Sequence, residues 1–459
     1  MTNHSPAEEL FFEGNQCMQS GDLHGAEQCF RQAIAMQPGF GEALANLGHL
    51  RSKAGDTQAA ESFYRQALAA RPALEEAYLM LGVLLMNQKR FSESEQLYRY
   101  YLQHNPQSPA AWSNLGVLLA CLKRETEAEQ CYRTALSMDN NFKKASFNLS
   151  YILLRQERWE EGWRCLEDRW PYPVLAGHFT CPRWCGEVLQ DKSIIIGFEM
   201  GHGDMIFYCR YISELKKRGA SRISLICHPG LTQLFKTLSG VDEVFSFNDV
   251  VPASGWDYWT PPMSLPHYCQ TSAGNFPTPI PYLHAEAAKI AYWKNVLPND
   301  GLRVGLVWKG LALFENDADR SIQSLKVLEP LGAVAGVHFI SLQKGQGEDE
   351  ALNPPAGLAL QALGAQLNDF ADTAAVIRCL DLVISVDTAV AHLAGAMGVP
   401  CWLLLPDYRP DWRWLTERTD TPWYPQQMRL FRQSTEGGWA SVIDMVSAAL
   451  EEWQVSKQL

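Results

Sequence analysis

Four short segments carry residue types and spacings suited to chemistry. The first is EMGHGD over 199–204, which leads from an apolar run into an amphipathic one. Its glycines allow close backbone approach, and a helix start after them favours an anionic group. Asp204 is a candidate general base; the same position also suits an aspartate that caps a helix. Glu199 and His202 stand next to it as further acid–base candidates. The second segment is Trp308-Lys309-Gly310, at the end of another apolar run. A lysine leaving a buried strand beside a glycine can set its ammonium on a phosphate, or can simply face solvent. Shortly after it, NDADRS over 316–321 contains Asp317-x-Asp319, a pattern that invites a divalent cation. No further ligand accompanies that pair, and Arg320 can neutralise either the aspartates or a phosphate. No metal is therefore expected.

The third segment is SVDTAVAH over 385–392, followed by LAGAMGVP. The apolar run ends at Asp387 and a helix is expected to begin. Thr388 and His392 are four apart and share a face of its first turn. The N–H groups of Thr388, Ala389 and Val390 lack intrahelical acceptors there, and the helix dipole adds positive potential. Such a start can cradle a diphosphate; it can also be a capped strand–helix junction with a buried histidine. The fourth segment is Asp411-Trp412-Arg413-Trp414 with Trp423-Tyr424-Pro425. Exposed, these aromatics suit stacking on a sugar or base; otherwise they pack a domain seam.

The elements that must hold these segments alternate. SIIIGF (193–198), ISLICH (223–228) and EVFSF (243–247) read as buried strands, with helices over 205–219 and 230–238. A Pro- and Trp-rich stretch, 252–282, interrupts the series. RVGLVW (303–308), VHFISLQ (337–343), DLVISVD (381–387), CWLLLP (401–406) and MRLFRQ then read as strands. Helices are expected near 324–332, 370–379 and 388–397, and from 439 to 453. Strands alternating with helices imply parallel sheets covered on both faces. Two doubly wound units in series would form a cleft, with their sites at the carboxyl ends of the strands.

The first third has a different grammar. Only Trp112 precedes residue 159, against fourteen tryptophans from there on; five of the 25 prolines do so. Gly14, Gly48, Gly82 and Gly116 are spaced by 34 residues, as are Pro38, Pro72 and Pro106, with Asn140 in the next slot. Phe30, Tyr64, Tyr98 and Tyr132 keep the same period, as do Ala26, Ala60, Ser94 and Ala128. This pattern resembles the tetratricopeptide repeat. Each unit reads as two amphipathic helices that approach at the glycine, and stacked units build an α-solenoid with a concave groove. Four full units run from about 7 to 140. A degraded fifth (145–170) has Ser150 in the glycine slot and ends in WEEGWRCLEDRW, whose Trp159, Trp163 and Trp170 suit docking on the next domain. The expected division is repeats over 1–170, a linker over 171–189, a first α/β lobe over 190–300 and a second over 301–459, which the resemblance set out next makes acceptor-side and donor-binding. Cys181 and Cys185 in the linker lack the second pair that zinc requires.

Taken together, the segments resemble a family. DLVISVDTAVAHLAGAMGVP is similar to the donor-binding signature of bacterial heptosyltransferases and related glycosyltransferases of the GT-B fold. The G-x-G-D turn at 201–204 is similar to their acceptor-side turn. Repeats joined to such a domain resemble bacterial tetratricopeptide-repeat glycosyltransferases, a group that includes flagellin glycosyltransferases. The resemblance implies Asp204 as catalytic base. It implies Lys309, Arg320, Gln343, Asp387, Thr388, Ala389, Val390 and His392 as donor or nucleotide contacts. The reaction implied is metal-independent and inverting, with the nucleotide-sugar as substrate and no cofactor. The acceptor implied is a Ser or Thr of a protein held by the repeats. Two departures stand out: Ala389 occupies a position where heptosyltransferases usually carry glycine, and the first lobe is short.

Composition narrows the alternatives. The chain has 459 residues, 47% of them apolar and 20% charged, and a net charge of −12. Such acidity argues against non-specific nucleic-acid binding and against adhesion to anionic lipid. No run of eighteen apolar residues occurs, so stable membrane insertion is not expected. The start MTNHSPAEELFF lacks the form of a secretory signal, and the twelve scattered cysteines read as reduced thiols, which together give a cytoplasmic expectation. Two rival readings remain: a transferase directed at lipopolysaccharide or another glycan, and a non-enzymatic adaptor with a degenerate transferase domain.

Overall fold

The computed structural model describes residues 4–169, 173–277, 280–314, 316–435 and 437–458. Trp170 of the expected fifth repeat lies outside the described residues. The chain divides into two units, Met1–Ile152 and Leu153–Leu459.

The first unit is a run of helical hairpins: α1 (Pro6–Ser20) with α2 (Leu23–Met36), α3 (Gly41–Lys53) with α4 (Thr57–Ala70), α5 (Glu75–Asn87) with α6 (Phe91–His104), and α7 (Pro109–Cys121) with α8 (Glu125–Met138). Each hairpin closes where the sequence pairs a small residue with a ring. A methyl group added to Gly14, Gly48, Gly82 or Gly116 would lie 2.6, 2.7, 2.2 or 2.6 Å from a ring atom of Phe30, Tyr64, Tyr98 or Tyr132. These are overlaps, so the glycine slot is set by close approach of the two helices. The alanine slot is buried in every hairpin, and at Ser94 the hydroxyl is satisfied by the carbonyl of Gly82 at 2.9 Å. Between the helices of each pair the chain turns through the left-handed region, at Gly21 (φ 85°), Gly55 (φ 80°), Lys89 (φ 60°) and Lys123 (φ 61°), again 34 apart. Adjoining hairpins are laced by ion pairs at that period: Arg90 to Glu61 at 2.6 Å and Arg124 to Glu95 at 2.8 Å.

The fifth hairpin is split by the unit boundary. Its first helix, α9 (Lys143–Arg155), spans the division, and α10 (Trp159–Leu166) belongs to the second unit. The break thus falls within the last repeat rather than after it. Helix α10 packs on the α/β region through Trp159, whose ring meets Phe276 at 5.3 Å and Trp423 at 5.6 Å, and Trp163, whose Nε1 donates to the carbonyl of Thr271 at 2.9 Å.

The second unit carries two parallel sheets. β1 (Ser193–Ile196), β2 (Arg222–Cys227), β3 (Glu243–Ser246) and β4 (Tyr258–Thr260) are ordered β3-β2-β1-β4. β5 (Leu302–Val307), β6 (Val337–Ser341), β7 (Leu360–Ala362), β8 (Leu382–Val386), β9 (Cys401–Leu405) and β10 (Met428–Arg432) are ordered β10-β9-β8-β5-β6-β7. β8 and β9 are buried along their whole length, which is why they read as apolar runs, interrupted only by the buried Ser385 of β8. The strands start near where the sequence places them. β4, β7 and the helix Ala287–Val296 are additions to that reading, and 205–219 is divided into His202–Tyr208, a three-ten turn and Ile212–Lys217. The expected helix over 324–332 is a three-ten stretch, Leu325–Ala333, containing Pro330. In each sheet the strand order reverses once, between β1 and β4 and between β5 and β8. Ligand crevices of doubly wound sheets open at the carboxyl ends of the strands flanking such a reversal.

Candidate functional site

The two reversals meet. The turn after β1 runs into the helix His202–Tyr208, and the turn after β8 into the helix Ala389–Ala396. The two helices pack so closely that a methyl group on Gly203 would lie 3.1 Å from Cδ2 of His392 and 3.4 Å from Cα of Ala389. Glycine at 203 allows this approach without displacing the His392 ring. The first and third sequence segments are thereby brought together, although 183 residues separate Asp204 from Asp387.

Asp204 occupies the third position of its helix and is about a quarter exposed. Its Oδ2 accepts the backbone N–H of Gly201 at 3.1 Å. Its Oδ1 accepts from Nη2 of Arg413, in the other lobe, at 2.6 Å. Asp204 is therefore a helix cap and the partner of a buried guanidinium at once. Glu199 and His202 are committed elsewhere. Glu199 is buried against Arg169, at 2.5 and 3.1 Å, and accepts the N–H of Met263 at 3.1 Å. His202 stacks between His228, at 4.4 Å, and Phe370, at 5.2 Å. Burial and the neighbouring His228 hold its pKa at about 4, so it is uncharged at neutral pH.

Around the start of Ala389–Ala396, Thr388 is the N-cap residue, and its hydroxyl lies 3.0 Å from Ser385 Oγ. Its carbonyl accepts from the N–H of Ala391 at 3.1 Å. The N–H groups of Ala389 and Val390 lie in the first turn, where helices present donors outward. Asp387 accepts from Nε1 of Trp414 at 2.8 Å. Desolvation and the charge of Asp411 push its carboxyl up to about 6, against the pull of the Trp414 N–H, Arg320 and Arg413. His392 is buried, bonded through Nδ1 to the Tyr424 hydroxyl at 3.0 Å and stacked on Trp414 at 5.2 Å. Burial, with Arg413 and Arg210 nearby, holds it well below the usual imidazole range. It is thus a packed neutral ring in this geometry, not a cationic contact.

On the β5 side, Lys309 reaches Glu350 in a close ion pair. Gln343 brackets the end of β5: its Oε1 accepts the N–H groups of Trp308 and Lys309, each at 3.0 Å, and its Nε2 donates to the carbonyls of Lys309 (3.0 Å) and Gln346 (2.8 Å). With every polar position of its amide used, Gln343 shapes the site through backbone. Arg320 donates to Asp317 at 3.0 Å and lies over the ring of Phe314 at 4.4 Å. Gly310 makes room for that pair, since a methyl group there would meet Arg320 Nη2 at 2.2 Å. Asp317 is buried and also accepts from the Ser321 hydroxyl at 2.8 Å. Among the described residues no cluster of three or more His, Cys, Asp or Glu is arranged to hold a metal.

Of the two readings of the fourth segment, the structure takes the packed seam and not the exposed stacking surface. Trp412, Trp414, Trp423 and Tyr424 are all buried. They fill the seam between the lobes with Phe207, 4.9 Å from Trp423, and Trp163, 5.3 Å from Trp412. Two guanidinium groups run through this layer. Arg210 donates to the carbonyls of Phe207 (3.0 Å) and Trp423 (3.1 Å) and to the Tyr282 hydroxyl (3.1 Å). Arg413 spans Asp204 and Asp411. Sequence reading gave neither arginine a role at the site; the signal available was only an arginine between two tryptophans.

Comparison with known proteins identifies the first unit. Residues 14–75, 51–118 and 109–142 match tetratricopeptide repeat families, so this part of the chain is a tetratricopeptide repeat array, a fold that binds other proteins. The chain is 30% identical over 328 residues to Protein FlbA of Caulobacter vibrioides, an alignment covering 64% of this chain and 53% of that protein. It therefore spans about half the length of that relative. Solved structures similar to it include the Pseudomonas aeruginosa pilF protein, at 20% identity over 36% of this chain and 74% of that one, with a TM-score of 0.34. Another is a thermophilic repeat protein of Thermus thermophilus, at 21% identity over 36% and 91%, with a TM-score of 0.32. Among the described residues no helix is long and apolar enough to cross a membrane. Among the described residues no cysteine pair forms a disulfide.

Proposed function

We propose that the second unit is a GT-B-type glycosyltransferase that moves a sugar from a nucleotide-sugar to a hydroxyl acceptor, and that the repeats recruit a protein carrying that hydroxyl. The observation that supports this most is the meeting of the two strand-order reversals, which sets the Asp204 turn against the first turn of Ala389–Ala396. An acid–base group facing a diphosphate cradle is what inverting sugar transfer requires. In the proposed step the acceptor O–H gives its proton to Asp204 while its oxygen bonds to the anomeric carbon. The bond from that carbon to the diphosphate oxygen breaks on the opposite face, and the nucleoside diphosphate leaves with the electron pair. The helix start at Thr388, Ala389 and Val390 stabilises the leaving charge, with Lys309 and Arg320 as the cationic groups on the β5 side. Lys309 must exchange Glu350 for phosphate to do so.

Those same pairings favour a second reading. With Asp204 on Arg413 and Lys309 on Glu350, the ionic groups are satisfied without a ligand, as an adaptor with a degenerate transferase unit would have them. A nucleotide-sugar panel, read by intact mass of co-purified proteins and of extracted glycolipid, separates the readings. Transfer to protein supports the proposal, transfer to glycan supports a lipopolysaccharide-type enzyme, and no binding of any nucleoside diphosphate supports the adaptor. In an active enzyme, Asp204→Asn is expected to lower turnover by about a hundredfold or more with diphosphate affinity retained. Near-normal turnover removes Asp204 from the base role.

A further inference from the structure

We infer that Arg413 is the positioning residue of this reaction, fixing the Asp204 carboxylate across the two lobes; the inference rests on the transfer reading above. Asp204 has two anchors, one on each oxygen. The N–H of Gly201, the N-cap residue of its helix, holds Oδ2, and Nη2 of Arg413 holds Oδ1 from the facing lobe. The second anchor is the one that ties the base to the donor side.

Arg413 is itself held through both terminal nitrogens and its backbone N–H. It is buried, at 5% exposure. Nη1 donates to Asp411 Oδ2 at 3.1 Å, and the backbone N–H of Arg413 donates to Asp411 Oδ1 at 2.9 Å, which closes a tight local loop. Nη2 also lies 3.4 Å from the Tyr208 hydroxyl. The rings of Phe207, Trp412 and Tyr208 stand 4.6, 4.9 and 5.4 Å from the guanidinium carbon. Trp412 is in turn packed edge-on by Trp163 of α10 at 5.3 Å. A planar fork fixed between two carboxylates on different lobes defines a direction as well as a charge, which a lysine in its place does not reproduce. Without Arg413, Asp204, Asp411 and Asp387 stand as three carboxylates on one seam, and Asp204 Oδ1 loses its partner.

A purely structural ion pair and a positioning one make different demands. Loss of a structural pair lowers stability and degrades every function together. Loss of a positioning pair lowers the chemical step while the diphosphate cradle, built on other elements, keeps its affinity. A misplacement of about 1 Å at a reacting group costs on the order of a hundredfold in rate.

The test uses the full chain and the donor found active in the nucleotide-sugar panel. For wild type, Arg413→Lys and Arg413→Ala, kcat and donor KM are measured, the nucleoside diphosphate Kd is taken by calorimetry, and melting is followed. Arg413→Lys is expected to lower kcat by about 10- to 100-fold while KM and Kd stay within about twofold. Arg413→Ala is expected to lose more, and to regain at least about fivefold with low millimolar guanidinium chloride but not with sodium chloride, because guanidinium restores the planar fork. Full kcat in Arg413→Ala overturns the inference, as does a fall of kcat and diphosphate affinity together in Arg413→Lys without any guanidinium rescue of Arg413→Ala. Should Arg413→Ala not fold, the split between kcat and Kd in Arg413→Lys decides alone. A wild-type protein inactive with every donor overturns the transfer reading and this inference with it, whereas an active wild type beside unaffected variants overturns the inference only.

Discussion

Replacing Asp387 by asparagine should stabilise the second unit at neutral pH, although it removes a residue from the centre of the candidate site. The Asp387 carboxyl is raised from 3.8 to about 6, first by desolvation and then by the charge of Asp411. A rise of about two units, at ~1.4 kcal/mol each, sets an upper bound near 3 kcal/mol on the cost of its ionised form. Asp387 is half-buried, so water screens part of that cost, and about half, ~1.5 kcal/mol, is the expected effect. The sign follows from linkage: the folded carboxyl takes up its proton at higher pH than the unfolded one. The cost is therefore constant above pH about 6, shrinks as pH falls below that, and is gone below about pH 4. The asparagine amide would keep an oxygen for the Trp414 N–H, so packing is little changed. The assay is urea unfolding followed by tryptophan fluorescence at pH 7.5 and at pH 4.5. Fourteen of the fifteen tryptophans lie at or beyond residue 159, so the signal reports on the second unit. Asp387→Asn no more stable than wild type at pH 7.5, or equally more stable at both pH values, refutes the reasoning.

Two further predictions concern single side chains. Lys89 and Lys123 hold the left-handed turn that glycine holds at Gly21 and Gly55. Lys89→Gly and Lys123→Gly should each stabilise the repeat unit by about 0.5–1 kcal/mol, the relief of strain less the added freedom of the unfolded chain. Chemical unfolding followed by helical circular dichroism checks this, and a loss of stability would count against the turn assignment. Lys309→Ala should weaken nucleoside diphosphate binding by about 1.5–3 kcal/mol; unchanged affinity by calorimetry would leave Lys309 as no more than the partner of Glu350.

The repeat array was legible because its constraint is local and periodic. Gly82 faces Tyr98 sixteen residues later in every copy of the motif, so spacing alone reveals the contact. Longer strands were legible for the complementary reason: β8 and β9, covered on both faces, are written as apolar runs with Ser385 the one polar residue. β4 and β7 were not, being three residues each, β4 inside a Pro- and Trp-rich stretch and β7 half-buried at a sheet edge. At the site, sequence places Asp204, Lys309 and 387–392 at strand ends, since strand and turn patterns locate them. It does not supply their partners. Glu350 lies 41 residues from Lys309 and Arg413 lies 209 from Asp204, and such pairings depend on how the sheets pack. Trp412, Trp414 and Trp423 show the same limit: sequence leaves open whether such a loop is exposed or packs a seam until the surface that covers it is known.

The ion-pair lacing between hairpins bears on how long such an array can be. Glu61 and Arg90, and Glu95 and Arg124, are each 29 residues apart. Excising residues 75–108, one period of 34, would bring Glu61 and Arg124 to that same separation, since 124 − 61 − 34 = 29. The splice would regenerate a seam that already exists, with the glycine, ring and small-residue slots in register on both sides. Span is therefore adjustable in whole-number steps by duplication or loss of one unit, with no compensating change in its neighbours. In evolutionary terms the number of hairpins can drift independently of the α/β unit downstream, because the last helix, α10, stays with that unit however many hairpins precede it.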